Sequence, residues 1–335
     1  MLTETHEQVK LTPLENPDFI VEPGLLAKTG LMVIAGEPAA GKSWLAMQAA
    51  FDIAHGNRLW GIFPTKKSRT LFFELENRTV NERQRFISFD HGYSEDVGYC
   101  DKIEPSLDNE QFKLFRQEIK EWGAEVCVID SYTATIDDEN DLKSQKRTLK
   151  WYRKTASELS VAIILVQQLN KRSRTFDNKT KKYVIPPIAL DDIRGSKVFE
   201  YGIDTAVGLN KTSHEYKELH FLKTRYCEYP LVDTIIRTTF DSKQEHKYFP
   251  THGAITGILN ILDSEGTSAL DYIQQKLNMS RPTLLEAIEQ LKVLGVVREC
   301  IESYPQKIIE AINLAHNGRY PKLDHSDFTP LEIMP

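Results

Sequence analysis

The chain has 335 residues, a length that suits either one large domain with a small one or two domains. A composition of 41% hydrophobic and 27% charged residues, without a low-complexity tract, excludes a disordered, collagen-like or coiled-coil protein. The formal net charge of −6 argues against a protein coated in nucleic acid.

The sequence also bears on the compartment of the protein. No apolar run approaches the roughly 18 residues of a membrane span, and the first residues lack the apolar core of a signal peptide. The four cysteines are far apart and include no Cys-x-x-Cys pair that would bind zinc or carry out redox chemistry. We therefore expect a cytoplasmic protein with no membrane partner.

Apolar runs and helical patterns alternate along most of the chain. Residues 1–30 form an N-terminal segment punctuated by turn residues. The predicted strands are 31–35, 70–75, 125–130, 161–169, 204–209, 219–224 and 233–240, and the predicted helices are 43–56 and 142–159. Continuously apolar strands separated by helices are typical of a parallel sheet that is covered on both faces. The sequence therefore predicts an α/β fold.

The pattern changes near residue 250. Three short segments, 255–266, 268–278 and 280–295, carry apolar residues at three- and four-residue spacing, and a strand-like run follows at 296–300. Ser280 is a good N-cap for the third helix, and Pro282 suits its first turn. Three compact helices followed by a strand resemble a winged helix-turn-helix domain. We place the domain boundary at 248–252, after Pro250.

The strongest motif is GEPAAGKS at residues 36–43, which fits the phosphate-binding pattern GxxxxGK[ST] in full. It lies after a predicted strand and opens a predicted helix, as the pattern requires. Lys42 is placed to reach the β- and γ-phosphates of ATP, and the Ser43 hydroxyl to coordinate Mg²⁺. The alternative is a fortuitous glycine-rich turn. The predicted nucleotide-binding residues are Gly36, Glu37, Pro38, Ala39, Ala40, Gly41, Lys42 and Ser43.

Hydrolysis also needs acidic residues at the ends of neighbouring strands. Asp130 closes the apolar run EVCVID, as a second Mg²⁺-organising acid would, although an ordinary strand-ending Asp reads the same way. Ser131 follows it, so the carboxylate that activates water must lie elsewhere. The strand LFFELEN offers Glu74 and Glu76, and the residue pattern alone leaves the choice open.

Several segments resemble RecA-fold ATPases of the plasmid-replication RepA and replicative DnaB helicase group. IVEPGLLAKTGLMVIAGEPAAGKSWLAMQAA looks like the opening of that fold, and FFELEN resembles its FFSLEM-type strand, whose Glu activates water and matches Glu76. LVQQLNK resembles its sensor segment and matches Gln168. DDIRGSKVFEYGIDTAVGL and LHFLKTRYCEYP resemble the segments that follow, and Lys223 with Arg225 matches a K-x-R pair that reaches the neighbouring subunit's γ-phosphate.

The resemblance covers roughly residues 20–245 and favours the RecA branch over kinases, GTPases and standard AAA+ proteins. It implies a RecA-like core over 31–248 with a mainly parallel sheet, followed by a winged-helix-like domain and tail over 252–335. Tyr226 and Cys227 replace the group's Asn-Gly, and no counterpart of its N-terminal helical domain is expected. A solvated edge-strand pair remains the alternative for Lys223 and Arg225.

Two segments are strongly basic. Residues 171–182 carry six basic residues and one Asp, at the place where RecA-fold motors carry a DNA-contacting loop. The candidates for contact with single-stranded DNA are Lys171, Arg172, Arg174, Lys179, Lys181 and Lys182; the alternative is a solvated loop. For residues 143–154 a solvated helical face is the better interpretation.

The predicted C-terminal domain is acidic, with seven Lys and Arg against eleven Asp and Glu from residue 251 onward. This balance favours a protein partner there over DNA. We expect a ring-forming, hexameric, Mg²⁺-ATP-driven motor on single-stranded DNA, serving replication of a plasmid, phage or other mobile element. The alternative is a regulatory or adaptor ATPase whose nucleotide state controls assembly without unwinding.

Overall fold

The structure is a computed structural model. It describes residues 18–76, 79–89, 94–103, 109–138, 141–170, 175–177, 182–184, 187–211, 216–227, 232, 234–241, 247–250, 253–265, 267–268, 270–294, 296–299 and 331–333.

The described residues form strands and helices in alternation. The strands are β1 Phe19–Val21, β2 Leu26–Ala27, β3 Leu31–Gly36, β4 Thr70–Glu74, β5 Val97–Cys100, β6 Val126–Asp130, β7 Ala162–Gln168, β8 Thr175–Asp177, β9 Lys182–Val184, β10 Thr205–Asn210, β11 Tyr216–Thr224, β12 Ile235–Asp241, β13 Lys247–Pro250, β14 Thr267–Ser268, β15 Val297–Glu299 and β16 Leu331–Ile333. The helices are α1 Lys42–His55, α2 Val80–Ile87, α3 Asn109–Trp122, α4 Leu142–Leu159, α5 Ser196–Gly202, α6 Gly253–Glu265, α7 Leu270–Leu277 and α8 Arg281–Val293.

Nine strands form a central sheet in the order β13-β12-β11-β10-β3-β7-β6-β4-β5. The pairs from β10 to β5 are parallel, and those from β10 to β13 are antiparallel. The expected α/β fold with a mainly parallel sheet is therefore confirmed. Each predicted strand from 31–35 to 233–240 has a counterpart in this sheet, shifted by a few residues at its ends.

Side chains of the central strands alternate between two apolar layers. Met32 and Ile34 of β3 pack in the layer that contains α1, whereas Leu31 and Val33 face the layer formed by α3, α4 and α5. Both faces are covered by helices, which explains why the strands read as continuous apolar runs in the sequence.

The strand register brings four strand ends to one edge of the sheet. Gly36 of β3 pairs with Gln168 of β7, and Glu74 of β4 pairs with Asp130 of β6. Because β7 lies between β3 and β6, these residues form a row along the carboxyl edge of the parallel strands, where open α/β sheets bind ligands. Strand β11 runs antiparallel to β10, so it begins near this edge and ends at the opposite one.

The C-terminal part contains α6, α7 and α8 and a three-stranded antiparallel sheet in the order β14-β16-β15. The three predicted helices and the strand after them are confirmed, and Ser280 caps α8 by accepting a hydrogen bond from the Thr283 amide. Within the described part of the chain, no helix has both the length and the apolar character that a membrane crossing requires.

Candidate functional site

The loop of residues 36–41 joins β3 to α1, which begins at Lys42. Gly41 has a φ of 100°, which a residue with a side chain rarely adopts. A Cβ atom on Gly36 would lie 3.0 Å from the Leu209 carbonyl oxygen and 3.1 Å from Cγ of Lys42. The two motif glycines are thus required by backbone conformation and by close packing. The Lys42 ammonium donates a hydrogen bond to the Glu37 carbonyl at 3.0 Å.

A cavity of about 350 Å³ lies above this loop. Its lining includes eight of the predicted site residues: Pro38, Ala39, Gly41, Lys42, Ser43, Glu76, Asp130 and Gln168. They come from the ends of four different strands and the first turn of α1. The fold therefore gathers the phosphate loop, the predicted Mg²⁺ ligands, the predicted base and the predicted sensor around one space.

Asp130 is the most strongly perturbed acid of this cavity. Burial raises its pKa to about 6, with the charge of Glu76 adding to the rise, while a hydrogen bond from the Ser43 hydroxyl and the Lys42 charge oppose it. Its Oδ2 atom is buried and has no hydrogen-bond partner among the described residues. A buried carboxylate oxygen of this kind is costly unless a ligand pairs with it.

Ser43 and Asp130 have the donor chemistry for Mg²⁺. A hydroxyl and a carboxylate are both oxygen ligands, which this ion prefers. The unpartnered Oδ2 of Asp130 and the adjoining Ser43 hydroxyl therefore fit the predicted metal. Burial also lowers the pKa of Lys42, and the charges of Asp130 and Glu76 oppose that change, so cation and acids lie close enough to interact.

The two glutamates that the sequence left open differ in position. Glu74 is 2% exposed, and its Oε1 accepts a hydrogen bond from the Glu76 amide at 3.2 Å. Glu76 follows the strand and is exposed at the cavity wall. Of the two carboxylates, Glu76 is the one that lines the cavity, and Glu74 supports the turn that carries it. The role of Glu76 as base remains a prediction.

Sequence reasoning missed a part of the cavity wall that involves α2. Glu82 and Arg85 lie there and form an ion pair at 2.6 Å, and the Arg85 guanidinium lies 5.4 Å from the centre of the Trp44 ring. Helix α2 has no buried residue, so it carries no apolar periodicity to detect. A signal was present, because Thr79 caps the helix through the Glu82 amide at the spacing of a capping box.

Lys223 and Arg225 lie at the other edge of the sheet. Lys223 pairs with Ala206, which pairs with Val33 near the start of β3, remote from Gly36 at its end. The Lys223 ammonium donates to the carbonyl oxygens of Glu200 and Ile203 at 2.5 and 2.8 Å. The K-x-R pair is therefore not brought to the cavity of its own chain.

Asp204 holds Arg225 at this edge. The Asp204 carboxylate is 3% exposed, pairs with Arg225 at 3.0 Å and makes a two-pronged ion pair with Arg153 of α4 at 2.7 and 2.8 Å. It also accepts a hydrogen bond from the Leu31 amide at 2.9 Å, which fixes it to the start of β3.

The two basic segments differ in what the structure describes. Lys171, Arg172, Arg174, Lys179 and Lys181 lie outside the described residues, and only the backbone of Lys182 is described, in β9. In the second segment Lys143, Lys146, Arg147, Lys150 and Lys154 of α4 are exposed. The expectation of a solvated basic face on this helix is therefore confirmed as exposure.

Comparison with known proteins places the chain in a family. A search of curated proteins found no match. A solved structure of the ATPase domain of a DnaB-like helicase is 17% identical, with a TM-score of 0.49, and the match covers 67% of this chain and 85% of that one. Similarity at this level carries no argument about function. A family described as an AAA domain matches residues 2–174, more than half of the chain. With its phosphate loop and mainly parallel sheet, this chain belongs to the AAA domain family of P-loop ATPases.

Proposed function

We propose that this protein is a Mg²⁺-dependent ATPase of the RecA type that assembles into a ring and moves along single-stranded DNA. The observation that carries the proposal is the single cavity that Lys42, Ser43, Glu76, Asp130 and Gln168 share. Cation, oxygen ligands, exposed carboxylate and amide are the groups that phosphoryl transfer to water requires.

Each residue has a distinct task in the proposed reaction. The backbone amides of the loop and the Lys42 ammonium bind the phosphates and stabilise the charge that develops during transfer. Ser43 and Asp130 hold Mg²⁺, which neutralises the β- and γ-phosphate oxygens when bound. Glu76 accepts the proton of the attacking water, and Gln168 contacts the γ-phosphate from the end of β7.

The position of the K-x-R pair supports action between subunits. Lys223 and Arg225 lie level with the beginning of β3, whereas the phosphate loop follows its end. A pair at that edge cannot reach its own nucleotide without leaving the sheet, so a γ-phosphate contact would belong to a neighbouring subunit. A head-to-tail interface of this kind closes into a ring. A hexamer is the size we propose.

ATP hydrolysis measured with and without single-stranded DNA tests the proposal. Lys42→Ala should abolish hydrolysis because the developing charge loses its main cation. Glu76→Gln should keep nucleotide binding and slow turnover by a factor on the order of 10² or more, as the loss of a general base does. DNA should stimulate the wild-type rate.

Glu74→Gln is the matched control. A Gln side chain retains the oxygen that accepts from the Glu76 amide, so this variant should keep its activity. Normal hydrolysis by Glu76→Gln together with loss in Glu74→Gln would mean that the base is Glu74. Wild-type hydrolysis that DNA leaves unchanged would contradict the motor and favour an adaptor ATPase.

The C-terminal part favours a protein partner within this proposal. Its elements follow the order helix, strand, helix, helix, strand, strand, which supports a winged-helix unit with α8 as its third helix. Arg281 at the start of α8 forms an ion pair with Asp271, and Glu286 and Glu289 are exposed on the same helix. Acids on this surface oppose DNA phosphates, so we propose recruitment of a protein through it.

A further inference from the structure

Gln167 occupies the point where three functional segments meet. It precedes Gln168, the predicted sensor, at the end of β7, and its side chain is buried, with 1% of the residue exposed. The Walker-type acid Asp130 is followed by a 3₁₀ turn at Thr133–Thr135. Residues 192–194 return to the end of β7 after the basic segment, and Leu169 forms an isolated bridge with Ile193.

The Gln167 amide group joins all three segments. Its Oε1 accepts hydrogen bonds from the Thr133 hydroxyl and from the Gln168 backbone amide, the latter at 2.9 Å. Its Nε2 donates to the Arg194 carbonyl at 2.9 Å. The backbone N–H of Gln168 can only donate and the Arg194 carbonyl can only accept, so this orientation of the amide is fixed by chemistry.

Backbone hydrogen bonds surround this side chain. The Arg194 amide donates to the Gln168 carbonyl at 3.0 Å, the Asn170 amide to the Asp192 carbonyl at 2.7 Å, and the Leu169 amide to the Gly36 carbonyl at 3.1 Å. Residues 192–194 are thus anchored to the strand that carries Gln168, and that strand is anchored to the phosphate loop. A shift of Gln168 towards a bound phosphate acts directly on this anchor.

We propose that Gln167 is a positioning residue that couples the nucleotide cavity and the turn after Asp130 to residues 192–194. It touches no substrate atom itself and acts through Gln168, Thr133 and Arg194. Buried polar side chains with all partners satisfied specify one arrangement, and losing one partner leaves the others unpaired. The inference rests on the proposed nucleotide site, but it does not require that the protein bind DNA.

Amide hydrogen exchange of the full-length protein tests the coupling, read on residues 187–195 with and without a non-hydrolysable ATP analogue. In the wild type, saturating analogue should change exchange there on the order of five-fold or more, a usual size for coupling between sites. Gln167→Met keeps the length of the side chain and removes its hydrogen bonds, so the change should fall below about two-fold while the analogue still binds. Thr133→Val, a milder change, should lower it in the same direction.

Thr155→Val is the matched control. Thr155 is buried on α4, and its hydroxyl has no hydrogen-bond partner among the described residues, so this variant should keep the wild-type exchange response. An undiminished response in both Gln167→Met and Thr133→Val, or a wild type that binds the analogue with no change at residues 187–195, would overturn the inference. Absence of analogue binding by the wild type would instead overturn the proposed function on which it rests.

Discussion

At the scale of single residues, the cavity favours ligand binding over stability. Asp130 has a buried carboxylate oxygen without a partner among the described residues and a pKa raised to about 6. An acid with a raised pKa in the folded state is ionised at neutral pH at a cost, and this cost disappears as the pH falls below that pKa. The same carboxylate is well suited to a divalent cation, which would offset the cost.

Asp130→Asn should therefore stabilise the ligand-free protein and inactivate the enzyme. We expect the free energy of unfolding to rise by on the order of 1–3 kcal/mol at pH 7.5 and by less at pH 5, where the wild-type acid is protonated. Denaturant unfolding at the two pH values, without nucleotide or metal, measures this difference. A variant less stable than the wild type at pH 7.5 would mean that the Ser43 hydrogen bond and the Lys42 charge outweigh the burial of Asp130.

The site residues differ in how far the sequence alone could identify them. The phosphate loop is local, so its glycines, Lys42 and Ser43 were readable from spacing, and Asp130 from the apolar run before it. Glu76 could not be separated from Glu74 by alternation, because the chain leaves the strand between them. Glu82 and Arg85 escaped notice because α2 covers no core residue.

At the scale of secondary-structure elements, chain order was easier to predict than neighbourhood. The central strands were recognisable because both faces are buried, and α4 was predicted at its observed bounds. The insertion of β7 between β3 and β6 depends on long-range packing, which a linear pattern does not contain. The cluster of Arg153, Asp204, Lys223 and Arg225 was invisible for the same reason, since it brings together side chains of α4 and β11 and residues that flank β10 and β11.

Asp204→Asn tests whether this cluster orients the K-x-R pair. The change should cost about 1–3 kcal/mol of stability, less than for a fully buried pair because Arg153 is 31% exposed. The variant should also lose activity when alone and recover part of it when mixed with Lys42→Ala subunits, which supply sound K-x-R pairs. In a random equal mixture, up to about a quarter of head-to-tail interfaces would be competent.

The matched mixture combines Asp204→Asn with Lys223→Ala, Arg225→Ala subunits, and it should show no recovery because neither partner supplies a sound pair. Lys154→Ala, an exposed change next to Arg153 on α4, serves as the control for the helix surface. Equal recovery in both mixtures would show that Asp204 serves folding alone.

At the scale of the whole molecule, charge is distributed unevenly. The chain has a net charge of −6, and the part from residue 251 onward carries four more acids than bases. Residues 171–182 have the opposite sign and begin three residues after Gln168, the predicted sensor. A basic segment on an acidic protein concentrates electrostatic attraction for a polyanion at one place, which suits contact with a nucleic-acid backbone.

Neutralising Lys171, Arg172, Arg174, Lys179, Lys181 and Lys182 separates the motor from the adaptor. If these residues contact the DNA backbone, binding of single strands should weaken for all sequences alike, because phosphates carry no sequence information. The log–log salt dependence should flatten by about 0.7 for each lost contact, since fewer counterions are released. Fluorescence anisotropy of labelled oligonucleotides across a salt titration measures both effects. Basal ATP hydrolysis should survive, because none of the six residues belongs to the described lining of the cavity. A salt slope equal to that of the wild type would assign the segment to solvent, and the adaptor function would then account better for a nucleotide site that has no DNA track beside it.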